Sequence, residues 1–506
     1  MIKRNAPVIL LLLLVLASGC ITFCYILSMR YELKTSAVDG LSFAQLLFNV
    51  ISGNGLTTSI PPPYIEQNWL GIHFSPILYL LVPVYYLFPH IETLLFIQSF
   101  CIAASAIPIF FIAKTLLKSP WYALAVSIFY LINPFVINAQ IWDFHEISFA
   151  PFVIAMILWS IIHKEKIYFI IFCSILLAIK EHYGLAVFGA GILWAHHWRE
   201  PKFGLSVAFS GLIFLTMVIG IIMPHFSPLG SALMLSNEKT VGFFSWLNHP
   251  FADSDLLVKQ VVNGIFYGIV LILPLWFQPL LSFSWLLPSI ADMATNTLSI
   301  NDLMRSPQSY HTAAIIPVLL IAYVKTLADR YSTASKLKIP DMLIATAALV
   351  GFFSYNFAAL PNLPNNAFEL SKFKFSLPPS DKSAHDEIIK IIGPDSSVSG
   401  PMNILPQIPV RRNMYLFPDR YEDADYIVIN TRIIFEKRTA YFTEKHFQVL
   451  QNILADKNWG LVFYSDNWLL FKHNGQNNSQ LSIKAAKDLQ ELQLKTKEHN
   501  QRLLRK

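Results

Sequence analysis

Four polar clusters interrupt an otherwise oily chain: Asp39-Gly40, His73-Phe74-Ser75-Pro76, Asp143-Phe144-His145-Glu146 and Lys180-Glu181-His182-Tyr183. An ionisable side chain in hydrocarbon costs several kcal/mol unless it meets water, a partner or a substrate. Residues of these types in such places point to chemistry or transport. Asp143 and Glu146 stand three apart and share a face if helical. With His145 they could hold a divalent ion, or form a hydrogen-bond network that caps the helix after them. Lys180 is a compact cation suited to a phosphate group; Glu181 and His182 beside it could instead neutralise it in a low-dielectric turn. Tyr310 and His311 follow a polar loop that carries Arg305. They could contact a ligand or serve as an interfacial aromatic anchor.

The elements that must position these groups are apolar. Hydrophobic residues make up 54% of the chain and charged residues 14%, against about 25% charge in soluble domains, and the mean hydropathy is +0.48. The apolar runs predict eleven crossings, at about 7–29, 92–117, 120–138, 147–162, 167–179, 184–198, 204–224, 259–276, 279–297, 312–328 and 341–358. The fifth and sixth are short for a core of about 30 Å, which predicts half-buried helices meeting at Lys180-Glu181-His182, in a turn sunk toward a cavity. The stretch 76–89, bounded by Pro76 and Pro89, reads as a re-entrant or short helix within a long outer loop, 30–90.

Lys3 and Arg4 precede the first span and place the N-terminus in the cytoplasm. Lys114, Lys118, Lys164, Lys166, Arg199, Lys202, Lys325, Arg330, Lys336 and Lys338 then fall on the same side. All four polar clusters fall on the outer side, together with Arg305, Tyr310 and His311. Ala17-Ser18-Gly19-Cys20 is similar to a lipoprotein cleavage box, but the apolar run continues to Leu27, so a retained first helix is expected. The net charge of +6 fits cytoplasmic loops and implies no nucleic-acid partner. The four cysteines lie in apolar stretches without zinc spacing or a disulfide framework. No P-loop, dinucleotide fingerprint or HExxH sequence occurs, so ATP-driven transport and dinucleotide chemistry are unsupported.

The composition changes after Asn356. The expected organisation is a transmembrane domain over 1–360, a proline-marked linker over 361–380, a soluble α/β domain over 381–475 and a polar helical tail over 476–506. Asp381–Ile392 and Thr443–Asp456 read as helices, Val398 and Asp425–Ile429 as strands, and Gly460–Phe471 as a hairpin turning at Ser465-Asp466-Asn467. The tail reads as a solvated or frayed helix.

The run His73-Phe74-Ser75-Pro76-Ile77-Leu78-Tyr79, followed by Pro83, Tyr85 and Gln98, resembles the prokaryotic membrane family called domain of unknown function 2079. So do Asp143-Phe144-His145, Lys180-Glu181, Tyr310 ahead of Ile315-Ile316-Pro317, and Tyr415-Leu416-Phe417-Pro418. The resemblance covers about residues 35–430 and implies a place in the GT-C superfamily of membrane glycosyltransferases. It therefore implies an α-helical polytopic membrane protein with an outward active site and a C-terminal extracytoplasmic α/β domain. The implied donor is a polyprenyl-phosphate-linked sugar, the acceptor an envelope glycan, lipid or protein, and the location the cell (inner) membrane. Such relatives carry an acid in the first outer loop, which makes Asp39 the expected base, although it could instead begin a loop helix with Gly40 in the turn. Gly40 follows it in place of a second acid, so a paired-carboxylate metal site in that loop is not expected. No cofactor is required, although a divalent metal is open.

In this reading Lys180, with His73 and Arg305, steadies the departing phosphate. His73 could orient Asp39 instead, or simply lead the helix that starts at Pro76. Asp143, His145, Glu146, Glu181, His182, Tyr310 and His311 complete the substrate cavity. The rival expectation is a transporter or flippase of a lipid-linked or anionic solute, with charges lining a path across the bilayer. A third is a non-catalytic scaffold presenting the soluble domain.

Overall fold

The computed structural model describes residues 2–61, 66–235, 254–306, 309–331, 374–431, 444–465 and 467–504. They form two compact units. The first holds Met1–Ile26, Asn68–Leu81 and Leu95–Ser371; the second holds Leu27–Gln67, Val82–Leu94 and Lys372–Lys506.

The first unit is helical. Its helices are α1 (Ile2–Tyr31, in this unit as far as Ile26), α2 (Ile91–Ala104, in this unit from Leu95), α3 (Ala106–Leu117), α4 (Pro120–Leu131), α5 (Pro134–Gln140), α6 (Ala150–His163), α7 (Lys166–Ile179), α8 (Tyr183–Trp198), α9 (Pro201–Met217), α10 (Ser254–Ile272), α11 (Ile290–Leu298) and α12 (Ile315–Tyr331). Among the described residues, five helices are long and apolar enough to cross a membrane: Asn5–Tyr31, Ile91–Leu117, Glu146–His163, Pro201–Phe226 and Asp255–Leu275. The bent pair α4 and α5 would make a sixth. The expected span 341–358 lies outside the described residues.

Two expected spans take a different form. The run 120–138 bends by 57° between α4 and α5. Asn133 ends one helix and caps the next, its side chain accepting from the Phe135 amide at 3.0 Å, because Pro134 disfavours helical geometry at the residue before it. The run 279–297 is a 3-10 segment, Gln278–Ser289, ahead of the nine-residue α11. Pro279 and Pro288 supply no amide donor there, and Ser282 leaves helical geometry altogether. As expected, α7 and α8 are short, with 14 and 16 residues.

α8 packs against α9 backbone to backbone. A Cβ on Gly191 would stand 2.5 Å from the Ala208 nitrogen, and one on Gly211 would stand 2.5 Å from the Gly184 carbonyl oxygen. Side chains at those positions would force the helices apart, so glycine sets the closeness of this pair. Trp194, Phe169 and Phe203 fill the space beside the seam, with ring centroids 4.7 and 5.1 Å from that of Trp194.

The second unit holds the short helices Ser42–Ile51 and Val82–Leu87, and a five-stranded sheet with helices α13 (Pro379–Ile391), α14 (Glu444–Ala455) and α15 (Ser479–Leu504). Its strands are β1 (Val398–Gly400), β2 (Met414–Leu416), β3 (Tyr426–Asn430), β4 (Trp459–Ser465) and β5 (Trp468–His473), in spatial order β2-β1-β3-β5-β4. β1 pairs parallel with β2 and β3, and β5 pairs antiparallel with β3 and β4. β3 is buried along its whole length, as a central strand covered on both faces must be. Ile427, Ile429, Phe447, Leu450, Leu461 and Phe471 form its core. The expected cap Thr443 and the turn residue Asp466 lie outside the described residues. The tail helix is not wholly solvated, since Ala485 and Leu489 join that core and the Tyr464 hydroxyl donates to Asp488 at 2.6 Å.

The second unit also takes in part of the expected outer loop. The Ala37 amide donates to the Met402 carbonyl at 2.7 Å, the Gln45 side chain to the Arg412 carbonyl at 2.9 Å, and the Ser59 hydroxyl to the Met414 carbonyl at 2.7 Å. Buried backbone groups need partners, and here loop and α/β domain satisfy each other.

Candidate functional site

The sequence clusters at 73, 143–146, 180–183 and 310–311 converge within the first unit. Lys180 ends α7 in extended geometry, and the turn Lys180–His182 leads into α8. The preceding polar loop, Trp142–His145, is held by buried Gln98. Its amide donates to the Trp142 carbonyl at 2.7 Å, and its carbonyl accepts from the His145 amide at 2.9 Å.

Three carboxylates lie under three basic groups. Glu181 accepts from the Phe74 amide at 2.9 Å and lies 3.0 Å from His73 Nδ1. Glu146 Oε1 lies 2.9 Å from Lys180 Nζ. Asp292 Oδ1 lies 3.3 Å from His182 Nε2 and accepts from the Tyr183 hydroxyl at the same distance. In each pair the acid is the deeper partner. Side-chain exposures are 3%, 0% and 2% for Glu181, Glu146 and Asp292, against 27%, 11% and 13% for His73, Lys180 and His182. Buried acids require such partners. Here each also fixes the position of a group nearer the surface.

The aromatic side of the site is a stack. The Tyr310 ring lies between His145, at 3.8 Å between centroids, and His311, at 4.0 Å. Asn296 donates to the His311 carbonyl at 3.3 Å and to the Tyr267 hydroxyl at 2.9 Å, and that hydroxyl lies 2.9 Å from Thr312 Oγ1. α10 and α11 thereby fix the residues ahead of α12.

The electrostatics follow from this geometry. Burial alone would raise the Glu181 carboxyl, but His73 and Lys180 outweigh it and hold the group at about 2. Burial disfavours charge on Lys180, yet Glu146 and Glu181 raise its ammonium above the ordinary value. His311 is held well below its usual range by burial and by Lys180, His145, His182 and His73. The site therefore joins ionised acids, a charged lysine and a neutral imidazole within one field.

Other expected residues lie differently. Arg305 directs Nη1 at the carbonyls of Asn296, Thr297 and Ser299, at 2.7, 3.2 and 2.9 Å, and pairs with Asp302. Its guanidinium is thus committed to closing the C-terminal end of α11. Asp39 lies in the second unit, in the π-helical turn Ala37–Leu41. Asp143 lends its carbonyl to His145 Nδ1, 3.2 Å away. Among the described residues, no three His, Cys, Asp or Glu side chains are grouped so as to hold a metal ion.

Asp292 is a site residue that sequence reasoning missed. The signal for Asp292 was a lone acid inside an apolar run, the kind of residue that is functional by default in a membrane segment.

Residues 30–470 match the family described as "Predicted membrane protein (DUF2079)". Among solved structures the chain is similar to ArnT from Cupriavidus metallidurans bound to undecaprenyl phosphate, at 13% identity and a TM-score of 0.47, covering 91% of this chain and 97% of that one. The apo state of the same protein gives a TM-score of 0.45 at the same identity and coverage. At this level the likeness says nothing about chemistry. No curated protein matches the sequence.

Proposed function

Because the chain belongs to the DUF2079 family of predicted membrane proteins, we propose that it is a membrane glycosyltransferase of the GT-C type, moving a sugar from a polyprenyl-phosphate donor to a cell-envelope acceptor. One observation carries the reading: three buried carboxylates each hold a more exposed basic group in place within a single cluster. Such a lipid-linked sugar has a good leaving group, so its transfer needs a proton acceptor for the attacking group and fixed donors for the departing phosphate.

In this reading Glu181 holds His73 through Nδ1, and Nε2 takes the proton from the acceptor hydroxyl. The acceptor oxygen forms its bond to the anomeric carbon as the carbon–oxygen bond to phosphate breaks. The electron pair leaves with the lipid phosphate, and the anomeric configuration inverts. Lys180 and His182, backed by Glu146 and Asp292, meet the charge that develops on that phosphate. The Tyr310 stack forms a wall of the sugar pocket. Asp39, the base expected from its place after the first span, enters the same test as a separate arm.

The experiment uses purified protein in lipid with a panel of radiolabelled polyprenyl-phosphate sugars. Wild type is compared with His73→Ala, Lys180→Ala and Asp39→Ala. Transfer or release of sugar by wild type, lost in His73→Ala and Lys180→Ala, supports the assignment. Loss only in Asp39→Ala moves the base to the second unit. Binding without turnover, indifferent to all three changes, replaces the enzyme with a transporter or a scaffold.

A further inference from the structure

α8 has a second polar region at its other end. With 16 residues the helix is about 24 Å long, and the cluster described above lies at its N-terminal end. At its C-terminal end a cavity of about 770 Å³ is lined by His196, His197, Arg199, Trp285, Lys325 and Asp329, among others. Four of these side chains are basic or can become so. The one acid, Asp329, already pairs with Lys325 one helical turn before it. Nearby Lys164 and Lys166 are both claimed by Glu200, at 3.0 and 2.9 Å. Arg199 is exposed and, among the described residues, makes no ion pair or hydrogen bond. The cavity thus keeps an unspent guanidinium and two imidazoles.

Its wall is the irregular segment Gln278–Ser289. Backbone that is not helical is tolerated at membrane depth only where it is buried in protein or lines a cavity. Here Thr326 Oγ1 donates to the Gln278 carbonyl at 3.0 Å and lies 2.7 Å from Ser282 Oγ. The same wall presents Leu281 and Phe283, 58% and 65% exposed. A cationic floor beside an exposed apolar wall matches a molecule with an anionic head and hydrocarbon tails, which a soluble anion does not require.

We propose that this cavity binds the phosphate headgroup of an anionic membrane lipid. Arg199 takes the phosphate oxygens, His196 and His197 supply further donors, and Leu281 and Phe283 lie along an acyl chain. The site is separate from the one assigned to sugar transfer and does not depend on that assignment.

The test titrates purified full-length protein in detergent with a short-chain phosphatidic acid, a zwitterionic lipid with the same chains, and inorganic phosphate, reading each by calorimetry. The double variant Arg199→Gln with His196→Gln is compared with Lys202→Gln, an exposed position outside the cavity. Arg199 and His196 are exposed, so the double variant is expected to melt as wild type does. If it melts early, Arg199→Gln alone takes its place. The proposal expects phosphatidic acid to bind more tightly than the other two, and to weaken roughly tenfold or more in the variant, the loss expected of a charge-assisted hydrogen bond. Lys202→Gln should bind as wild type does. Inorganic phosphate binding as tightly as the lipid would overturn the lipid assignment. Absence of binding, or equal binding by the Arg199 variant, would overturn the site.

Discussion

Lys180→Met removes the cation above Glu146 and should destabilise the folded chain severely. The two charges stand 2.9 Å apart, and the Glu146 side chain has no exposure at all. With an effective dielectric constant of about 20, that separation corresponds to a gross attraction of about 6 kcal/mol. Desolvation of both groups consumes much of it, so the intact pair adds little net stability. The broken pair is another matter. Neither Glu146 oxygen has a well-aligned hydrogen bond, so Lys180→Met leaves a buried carboxylate without the cation in contact with it, at a cost of about 3–5 kcal/mol. Lys180→Met combined with Glu146→Leu removes both charges at similar volume and should return stability to within about 1 kcal/mol of wild type, while sugar transfer stays lost. Unfolding in bicelles by titration with sodium dodecyl sulfate measures both variants. If Lys180→Met alone costs less than about 1 kcal/mol, water reaches Glu146 and the buried-pair argument fails. If the double variant is less stable than the single one, the acid has another partner and the pairing assigned here is wrong.

Gly191→Val should cost at least about 2 kcal/mol, since its side chain would meet the α9 backbone at 2.5 Å and neither helix can give way cheaply; wild-type melting would remove the seam from the account. Arg305→Gln should lose roughly 1–3 kcal/mol of stability by uncovering the three carbonyls it serves, without weakening lipid-phosphate binding. Weaker binding at unchanged stability would instead make Arg305 a ligand contact. Burial holds the His446 imidazole at about 4, with Lys445 adding to the effect and Asp419 opposing it. The unfolded chain takes up that proton near pH 6.5, so it binds more protons than the folded chain between about 6.5 and 4, and stability falls as pH drops through that window. The loss is at most about 3 kcal/mol, should appear in melts of the full chain at pH 7 and 5, and should shrink in His446→Gln. A variant that keeps the full loss would place the titration elsewhere.

Among the described residues most apolar runs correspond to helices of the first unit, because length and hydropathy decide where a chain can sit in lipid. They did not show where helices break. Asn133-Pro134 was a readable stop and start, whereas the 3-10 course of Gln278–Ser289 depends on Thr326 satisfying a carbonyl from another helix. β2 was equally hard to read, at three residues long and defined only by its parallel partner β1. Most of the site's residue types were legible, since an ionisable residue in an oily stretch stands out, but Asp292 went unread. Their pairing was not legible. His73 meets Glu181 across 108 residues, and His182 meets Asp292 across 110. No local pattern encodes contacts over such separations. Arg305 shows the converse: its type suggested a phosphate ligand, and only the carbonyls around it show what its donors hold.

The sequence left Lys180 between two roles, a cation for phosphate or a partner that neutralises nearby acids. The geometry makes the proposed role compatible with the ion pair. An ammonium has three donors; Glu146 lies against Lys180 from the buried side, and the lysine side chain remains the more exposed of the two. His73 has the same relation to Glu181, which meets only Nδ1. The acids below thus do two things at once. They make it affordable to keep basic groups in a low-dielectric site, and they fix the donors so that nothing need reorganise when negative charge develops in front of them, which is where such sites gain most of their effect. An unpaired lysine at this depth would shed its proton and lose its hold on an anion. In the proposed reading the ion pairs are therefore the condition for binding phosphate.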